Sequence, residues 1–316
     1  MALKVLLHYH PGKHLSRRLA ELPRNEMEVE ICAEADEERF DKLIGHTEVI
    51  WHVLKPITAS VFEKAPRLRL IQKLGVGVNT IDLEAARRHN VAVCNMPGVN
   101  SQSVAELTLA LMLSALRRVT TFDAAVRSGV GWSAAPELED KLSEIGGSTV
   151  GLVGAGAIPR IIAPVLSALG AKVLYTSRTR KADFPAQWRE LPELLAESDI
   201  VSLHVPLTPE TENLIDAKAI AKMKPGAVLI NTARGGLVDH DALLSALRTG
   251  HLRAVGLDAF AQEPLPADEP LLGLSSAVLT PHVGWLTRES LDRTLAVAVE
   301  NCRRLMQNRE LLNRVV

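Results

Sequence analysis

Short apolar segments alternate with helical segments along almost the whole chain, and this alternation constrains the fold more than any other feature. In the first hundred residues, the strand-like segments are 4–8, 29–32, 48–54, 68–73 and 91–95. The helical segments between them include 60–65 and 83–90. Strands that alternate with helices predict a parallel sheet covered by helices on both faces.

A second series with the same alternation follows. Its strand-like segments are 149–153, 172–175, 200–203, 227–231, 254–257 and 277–279. Among the helical segments, 241–249 is followed by Gly250, a residue type typical of the position just after a helix. The polar stretch 127–147 separates the two series, and a long amphipathic helix is predicted over 288–307. We therefore predict an α/β protein of two doubly wound parallel-sheet (Rossmann-like) domains with a cleft between them.

The segment 103–118 differs from the other helices. Ser103 and Glu106 have the spacing of a capping box, which predicts a helix that begins at Ser103. The residues after Glu106 are apolar almost all round the helix. Such a helix is expected to be buried between domains or between subunits.

Composition excludes several classes of protein. The 316 residues, 47% hydrophobic and 23% charged, fit a globular chain of two domains. A net charge of -1 gives no field that would attract nucleic acid or an anionic membrane. The first residues resemble a strand rather than a signal peptide, and no apolar run is long enough to span a membrane. The three cysteines are scattered, which predicts buried free thiols, no metal site and a cytoplasmic location.

A glycine turn opens the second series. Residues 149–153 run directly into Gly154-Ala155-Gly156-Ala157-Ile158-Pro159. A strand, a tight glycine turn and a helix predict a dinucleotide site, in which Gly156 lets the backbone approach the pyrophosphate at the helix N-terminus. Pro159 stands where a third glycine is usual, and proline is tolerated in a first helical turn. Pro164 is expected to bend or shorten the helix.

The turn after the next strand bears on the choice of cofactor. Its sequence, Tyr175-Thr-Ser177-Arg178-Thr179-Arg180-Lys181, contains three cations and no acid. A carboxylate at this place binds the ribose hydroxyl of NAD, whereas a hydroxyl and an arginine accommodate the phosphate of NADP. We predict that Ser177, Arg178 and Thr179 favour NADPH, with NADH as the alternative cofactor. A solvated basic turn is the competing interpretation.

Three polar segments each follow an apolar strand of the second series. They contain Arg234, Glu263 and His282. Because ligands bind at the carboxyl ends of parallel strands, these residues are expected to meet at one edge of the sheet. Taken singly, His282 could be structural, Glu263 a solvated loop acid and Arg234 a helix cap.

Motifs in this order along the chain resemble those of the D-isomer-specific 2-hydroxyacid dehydrogenase family. They are residues 74–82, the segment from Ser103 to Glu106, the glycine turn, residues 203–208 and the three segments around Arg234, Glu263 and His282. The resemblance covers almost the whole chain. The basic turn after the second strand looks like that of the NADPH-using glyoxylate and hydroxypyruvate reductases of this family.

The resemblance implies a division of labour for the catalytic residues. Arg234 would bind the substrate carboxylate or polarise its keto oxygen. His282 would donate a proton to that oxygen as hydride reaches the carbon, while Glu263 bonds the other ring nitrogen and favours the imidazolium form. The backbone N–H groups of Val76 and Gly77 would bind the carboxylate.

The resemblance also implies further cofactor and substrate contacts. Asp258 would meet the nicotinamide amide, and Val205 and Pro206 would flank the adenine. The other implied cofactor contacts are Ser101, Thr211, Thr232, Ala233, Arg234, His282 and Gly284. Leu54 and Trp285 would line the substrate side, where Trp285 either narrows the pocket or packs between the domains. Asn79-Thr80 replaces the Asp-Asn pair common in the family.

The family topology implies the domains and the assembly. We expect a flavodoxin-like substrate domain at 1–100 and 285–316, a dinucleotide-binding domain at 101–284, and a homodimer built on the helix 103–118. The leading hypothesis is an NADPH-dependent reductase of glyoxylate, hydroxypyruvate or a similar 2-keto acid. The alternatives are a D-3-phosphoglycerate or other D-2-hydroxyacid dehydrogenase that works oxidatively, and a dinucleotide-sensing scaffold or corepressor.

Overall fold

A computed structural model describes residues 2–133 and 141–316 of the chain. Residue contacts divide the chain into two compact units. Unit 1 comprises Met1–Asn100 and Trp285–Val316, and unit 2 comprises Ser101–Gly284. Part of the predicted polar stretch 127–147, residues 134–140, lies outside the described residues.

Unit 1 is a five-stranded parallel sheet with helices. Its elements are β1 (Leu3–His8), α1 (Lys13–Ala20), β2 (Met27–Cys32), α2 (Glu37–Ile44), β3 (Val49–His52), α3 (Ala59–Lys64), β4 (Leu70–Lys73), α4 (Leu83–Arg88), β5 (Ala92–Cys94) and α11 (Arg288–Met306). The strand order is β2-β1-β3-β4-β5, the flavodoxin-like order. In β3 and β4 every residue is buried, as expected for central strands covered on both faces.

Unit 2 is a seven-stranded parallel sheet. Its elements are α5 (Ser101–Arg117), α6 (Val119–Arg127), β6 (Thr149–Val153), α7 (Ala157–Ala168), β7 (Lys172–Thr176), β8 (Gln187–Trp188), α8 (Leu191–Glu197), β9 (Ile200–Leu203), α9 (Ala217–Lys222), β10 (Ala227–Asn231), α10 (His240–Arg248), β11 (Leu252–Leu257) and β12 (Ala277–Leu279). The order β12-β11-β10-β9-β6-β7-β8 contains the Rossmann order, with its switch point between β6 and β9.

The predicted fold class of two parallel-sheet α/β domains is confirmed. The predicted strands are present with ends shifted by at most two residues, and among the strands of the described residues only the short β8 was not predicted. Gly250 has a φ of 76°, the left-handed conformation that ends a helix, directly after the cap of α10. The three cysteines are buried and unpaired, as expected. No helix within residues 2–133 and 141–316 has the length and apolar character needed to span a membrane.

Two expectations for α7 have different outcomes. Pro159 lies in the first turn, where its missing N–H leaves no hydrogen bond unmade. Pro164 does not shorten the helix, which continues to Ala168. Because Ile162, Ala163 and Leu166 are fully buried, packing against the sheet holds the helix together around Pro164.

The predicted start of α5 is wrong. The helix begins at Ser101, so Ser103 lies inside its first turn and is not the cap. The Ser103 hydroxyl is buried and donates to the carbonyl of Gly284 instead. Within the chain, α5 also has one exposed stripe, formed by Gln102, Glu106, Ala110, Leu113 and Arg117.

Candidate active site

The segments that carry Arg234, Glu263 and His282 follow β10, β11 and β12, which are adjacent parallel strands of unit 2. The carboxyl ends of these strands therefore lie side by side. The structure brings Glu263 and His282 into direct contact, and the positive charge of Arg234 is close enough to affect the Glu263 carboxyl.

Glu263 and His282 form a hydrogen-bonded pair. His282 Nδ1 lies 2.7 Å from Glu263 Oε2, and Glu263 Oε1 accepts from the Phe260 N–H at 2.9 Å. Burial favours a higher pKa for Glu263, but these two hydrogen bonds and the charges of His282 and Arg234 outweigh it, so the net pKa is below 4.5. The contact at Nδ1 fixes the orientation of the His282 ring, whose other nitrogen is Nε2.

His282 has a left-handed backbone, with a φ of 53°, which is uncommon for a residue with a Cβ. Asp258 supplies the contacts that hold this segment. Its Oδ1 accepts from Thr280 Oγ1 at 2.6 Å and from the Val283 N–H at 2.9 Å, and its Oδ2 accepts from the Gly284 N–H at 2.8 Å. Since Asp258 is 2% exposed, three donors around His282 are tied to one buried carboxylate.

Arg234 lies on a short segment between β10 and a 3-10 turn at Gly235–Leu237. Its Nη1 donates to the Ala233 carbonyl at 2.7 Å. Burial lowers the pKa of its guanidinium and the charge of Glu263 opposes that shift. A Cβ on the next residue, Gly235, would overlap the backbone of Phe260, so the Arg234 and Glu263 segments pack backbone against backbone.

The glycine turn has the geometry of a pyrophosphate cradle. Gly154 has a φ of 120°, and a Cβ there would lie 2.5 Å from the carbonyl oxygen of His204. Gly156 is the N-cap residue of α7, and a Cβ on it would meet nothing within 4 Å. The open space beside Gly156 and the unsatisfied N–H groups of a helix N-terminus fit a dinucleotide phosphate. Ala155, Ala157 and Ile158 complete this turn.

The basic turn after β7 is exposed from Arg178 to Lys181, and Ser177 Oγ donates to the Thr179 carbonyl at 2.8 Å. The turn has no acid of its own, but the tertiary structure supplies one from the loop after β9. The pKa of Glu210 is lowered first by a hydrogen bond with Thr208 and also by the charge of Arg178. The Glu210 carboxylate is therefore near enough for the charge of Arg178 to affect it.

Other predicted cofactor residues lie near the ends of β9 and β10. Thr211 Oγ1 donates to the Pro206 carbonyl at 2.7 Å, which closes the loop that begins directly after Val205. Thr232 Oγ1 lies 2.9 Å from Thr108 Oγ1 of α5, a contact that the sequence did not suggest. Ser101 and Gly284 are also part of unit 2.

The predicted substrate residues Leu54, Val76, Gly77 and Trp285 belong to unit 1. Val76 is 44% exposed, and its carbonyl accepts from Asn95 Nδ2 at 2.9 Å. The Leu54 N–H donates to Glu34 Oε1 at 2.8 Å.

Trp285 packs within unit 1. Its ring meets Tyr9 edge to face at a centroid distance of 5.7 Å, beside a cavity that is also lined by Trp51 and Leu74. In the unusual Asn79-Thr80 pair, Thr80 Oγ1 lies 2.9 Å from Nε2 of the buried His52. Burial lowers the pKa of His52, so this histidine is neutral.

Comparison with known proteins identifies the family. Residues 109–284 match the model of the D-isomer specific 2-hydroxyacid dehydrogenase NAD-binding domain. The chain is 40% identical over 270 residues to glyoxylate reductase of Aeropyrum pernix, covering 82% of this chain and 81% of that protein. It is 42% identical over 251 residues to D-3-phosphoglycerate dehydrogenase of Mycobacterium leprae, covering 78% of this chain and 47% of that protein.

A solved structure is similar over the full length. The TT0316 protein of Thermus thermophilus matches with a TM-score of 0.88 and 41% identity, covering 99% of this chain and 100% of that one. The matched region spans about half the length of the phosphoglycerate dehydrogenases among its relatives, 47% in each case. The chain belongs to the D-isomer specific 2-hydroxyacid dehydrogenase family, and its unit 2 contains a domain that binds a nicotinamide dinucleotide.

Proposed function

We propose that this family member reduces glyoxylate, hydroxypyruvate or a similar small 2-keto acid to the D-2-hydroxy acid with NADPH. The observation that carries the proposal is the contact between His282 and Glu263 at 2.7 Å, on the strand edge that also presents Arg234. A proton donor, its carboxylate partner and a fixed cation are what the reduction of a 2-keto acid requires.

A nicotinamide held by unit 2 would supply the hydride for the keto carbon. His282 Nε2 gives a proton to the keto oxygen, so that the C=O bond becomes a CH–OH group. Glu263 holds Nδ1 and stabilises the imidazolium before the transfer. Arg234 makes charge-assisted hydrogen bonds to the carboxylate or the keto oxygen, and it stabilises the negative charge that develops there.

The two units have different roles in this proposal. Unit 2 binds the cofactor through Gly156 and the contacts predicted around it, including Asp258 at the nicotinamide amide. Unit 1 is the substrate domain. The N–H groups of Val76 and Gly77 bind the substrate carboxylate, while Leu54 and Trp285 limit the size of the substrate side chain.

The test of the catalytic set is His282→Ala. It should lower kcat by a factor of about 100 or more while NADPH binding stays nearly intact. The matched control is His251→Ala, since His251 bonds the Ile220 carbonyl at 2.8 Å and lies outside the proposed site. Turnover of His282→Ala at the wild-type rate would remove His282 from the mechanism.

Preference for NADPH rests on Ser177 and Arg178 in a turn that contains no carboxylate of its own. Steady-state kinetics on glyoxylate, hydroxypyruvate, pyruvate and phenylpyruvate with both cofactors measures this preference and the substrate class together. Arg178→Ala should lower kcat/KM for NADPH at least about 10-fold and leave that for NADH unchanged. Equal use of the two cofactors by the wild type would contradict the proposal.

The match to D-3-phosphoglycerate dehydrogenase favours one second candidate, an oxidative D-2-hydroxyacid dehydrogenase. Oxidation of 3-phosphoglycerate with NAD, at a rate above the reduction of any 2-keto acid, would establish it. No turnover on any of these compounds would favour a dinucleotide-sensing scaffold or corepressor.

A homodimer is the assembly that we propose. Exposed apolar side chains gather on α5, α6 and the turn after them: Leu113, Val119, Val126, Val130 and Trp132. Trp132 is 95% exposed, and apolar surface of this kind marks an interface. Sedimentation equilibrium should give twice the chain mass of 34.3 kDa, and Val126→Asp should shift the protein toward monomer. A stable wild-type monomer would contradict this assembly.

A further inference from the structure

Asn231, the last residue of β10, makes two hydrogen bonds to the segment that carries Arg234. Its Nδ2 donates to the Arg234 carbonyl at 2.8 Å, and its Oδ1 accepts from the Ala233 N–H at 3.0 Å. Asn231 is 1% exposed. One buried amide thus spans the two residues, Thr232 and Ala233, that separate the end of the strand from Arg234.

Packing also fixes the residue that follows Arg234. Gly235 packs directly on the backbone of Phe260, where no Cβ fits. The backbone oxygen of Asn231 also accepts from the Asp258 N–H at 2.9 Å, which ties β10 to the residue that organises the His282 segment. The Arg234 segment is therefore fixed between a side-chain clamp and a backbone contact.

The Asn231 amide satisfies both backbone groups at this place, since its NH₂ group donates while its separate oxygen accepts. An alanine would leave the Ala233 N–H and the Arg234 carbonyl without these partners. Buried backbone groups do not stay unpaired without cost, so the segment would move to find others. An aspartate would keep the acceptor but turn a second acceptor toward the Arg234 carbonyl.

We propose that Asn231 is a positioning residue that acts through Arg234, setting the direction from which the guanidinium meets the substrate carboxylate or keto oxygen. This inference rests on the proposed function of Arg234. Misplacement of a catalytic group by about 1 Å costs on the order of 100-fold in rate, which makes the effect measurable.

The test is a double-mutant cycle on kcat/KM for glyoxylate with NADPH, using Asn231→Ala, Arg234→Ala and the double variant. Asn231→Ala should lower kcat/KM about 100-fold and Arg234→Ala about 1000-fold. The double variant should equal Arg234→Ala, because a residue that acts only through Arg234 has no effect once Arg234 is gone. Multiplicative losses in the double variant would overturn the inference.

Asn301→Ala is the matched control. Asn301 is equally buried and clamps backbone in the same way, since its Oδ1 accepts from the Leu312 N–H at 2.8 Å and its Nδ2 donates to the Leu312 carbonyl at 3.1 Å. It lies in unit 1, outside the proposed catalytic set. Asn301→Ala should lower the melting temperature without changing kcat/KM. In the Arg234→Ala background, Asn301→Ala should again leave kcat/KM unchanged.

A second variant covers the case in which Asn231→Ala does not fold. Asn231→Asp keeps the shape and the bond to Ala233, and it should still lower kcat/KM about 10-fold through the lost bond to the Arg234 carbonyl. Asn231→Asp at the wild-type rate would overturn the inference. Arg234→Ala at the wild-type rate would instead refute the proposed function, so the two failures are distinguishable.

Discussion

Replacement of Asp258 by asparagine tests whether one buried carboxylate holds the His282 segment. The carboxylate accepts from Thr280 Oγ1, the Val283 N–H and the Gly284 N–H. Asparagine has a single acceptor oxygen, which can keep the first two bonds, and its NH₂ group would face the Gly284 N–H. Asp258→Asn should therefore lower both the stability of unit 2 and kcat.

The size of the stability loss follows from the three bonds. A hydrogen bond to a charged group contributes about 1.5–3 kcal/mol, and one between neutral groups about 0.5–1.5 kcal/mol. Loss of the Gly284 bond and conversion of the other two from charged to neutral sum to about 3.5–6 kcal/mol. For a unit of this size, the middle of that range lowers the melting temperature by about 10–20 °C. Displacement of His282 should lower kcat about 100-fold.

The assays are thermal unfolding and steady-state kinetics well below the melting temperature. Thr280→Val removes one of the three bonds and leaves the carboxylate intact, so kcat should fall less while the KM for cofactor is unchanged. This separates the clamp from the predicted contact of Asp258 with the nicotinamide. Asp199→Asn is the matched control. Asp199 lies just before β9, and its carboxylate also accepts from a backbone N–H, that of Thr149 at 2.8 Å. It should lose stability without losing turnover. Folded Asp258→Asn with kcat within twofold of wild type would refute the reasoning.

Three further predictions concern the cofactor turn, the packing of the catalytic segments and pH. Gly156→Ala should leave the melting temperature unchanged, because the added Cβ meets nothing within 4 Å. The same variant should weaken NADPH binding at least about 10-fold in a fluorescence titration. Unchanged affinity would show that the pyrophosphate does not bind at Gly156. Gly235→Ala should lower the melting temperature strongly because its Cβ would overlap the Phe260 backbone, whereas Gly273→Ala, with open space around it, should not. The interactions that lower the pKa of Glu263 stabilise the folded state fully above pH 4.5. This stabilisation is lost as the pH falls through the lower pKa that Glu263 has in the folded state. Urea unfolding of Glu263→Gln should therefore show a weaker fall in stability below about pH 4.5 than the wild type; equal slopes would contradict the ionised pair.

Local sequence patterns predicted most of the fold. The apolar segments predicted the strands because a buried parallel strand must be apolar on both faces. Gly154 was predictable because the left-handed turn before a helix admits no other residue easily. Even the meeting of the Arg234, Glu263 and His282 segments could be anticipated, since carboxyl ends of adjacent parallel strands share an edge.

Contacts between residues distant in the chain could not be read in the same way. Ser103 has the spacing of a helix cap, but the Gly284 carbonyl, 181 positions away, takes its hydroxyl and the helix begins earlier. The charge of Arg178 lowers the pKa of Glu210, which lies on another loop, so the sequence of the basic turn alone does not indicate this carboxylate. The sequence does not distinguish Asn231, because an amide after an apolar strand is common, and only its hydrogen-bond partners show which segment it holds.

The sequence by itself thus determined the two parallel sheets, the glycine turn and the strand edge on which the proposed catalytic residues lie, because each depends on the order of apolar, glycine and polar residues along the chain. The tertiary structure decided which buried groups hold those residues in place. Asp258 clamps the His282 segment and Asn231 clamps the Arg234 segment, because a buried polar group bonds to whatever donor or acceptor packing brings to it, and packing joins residues that no local pattern connects.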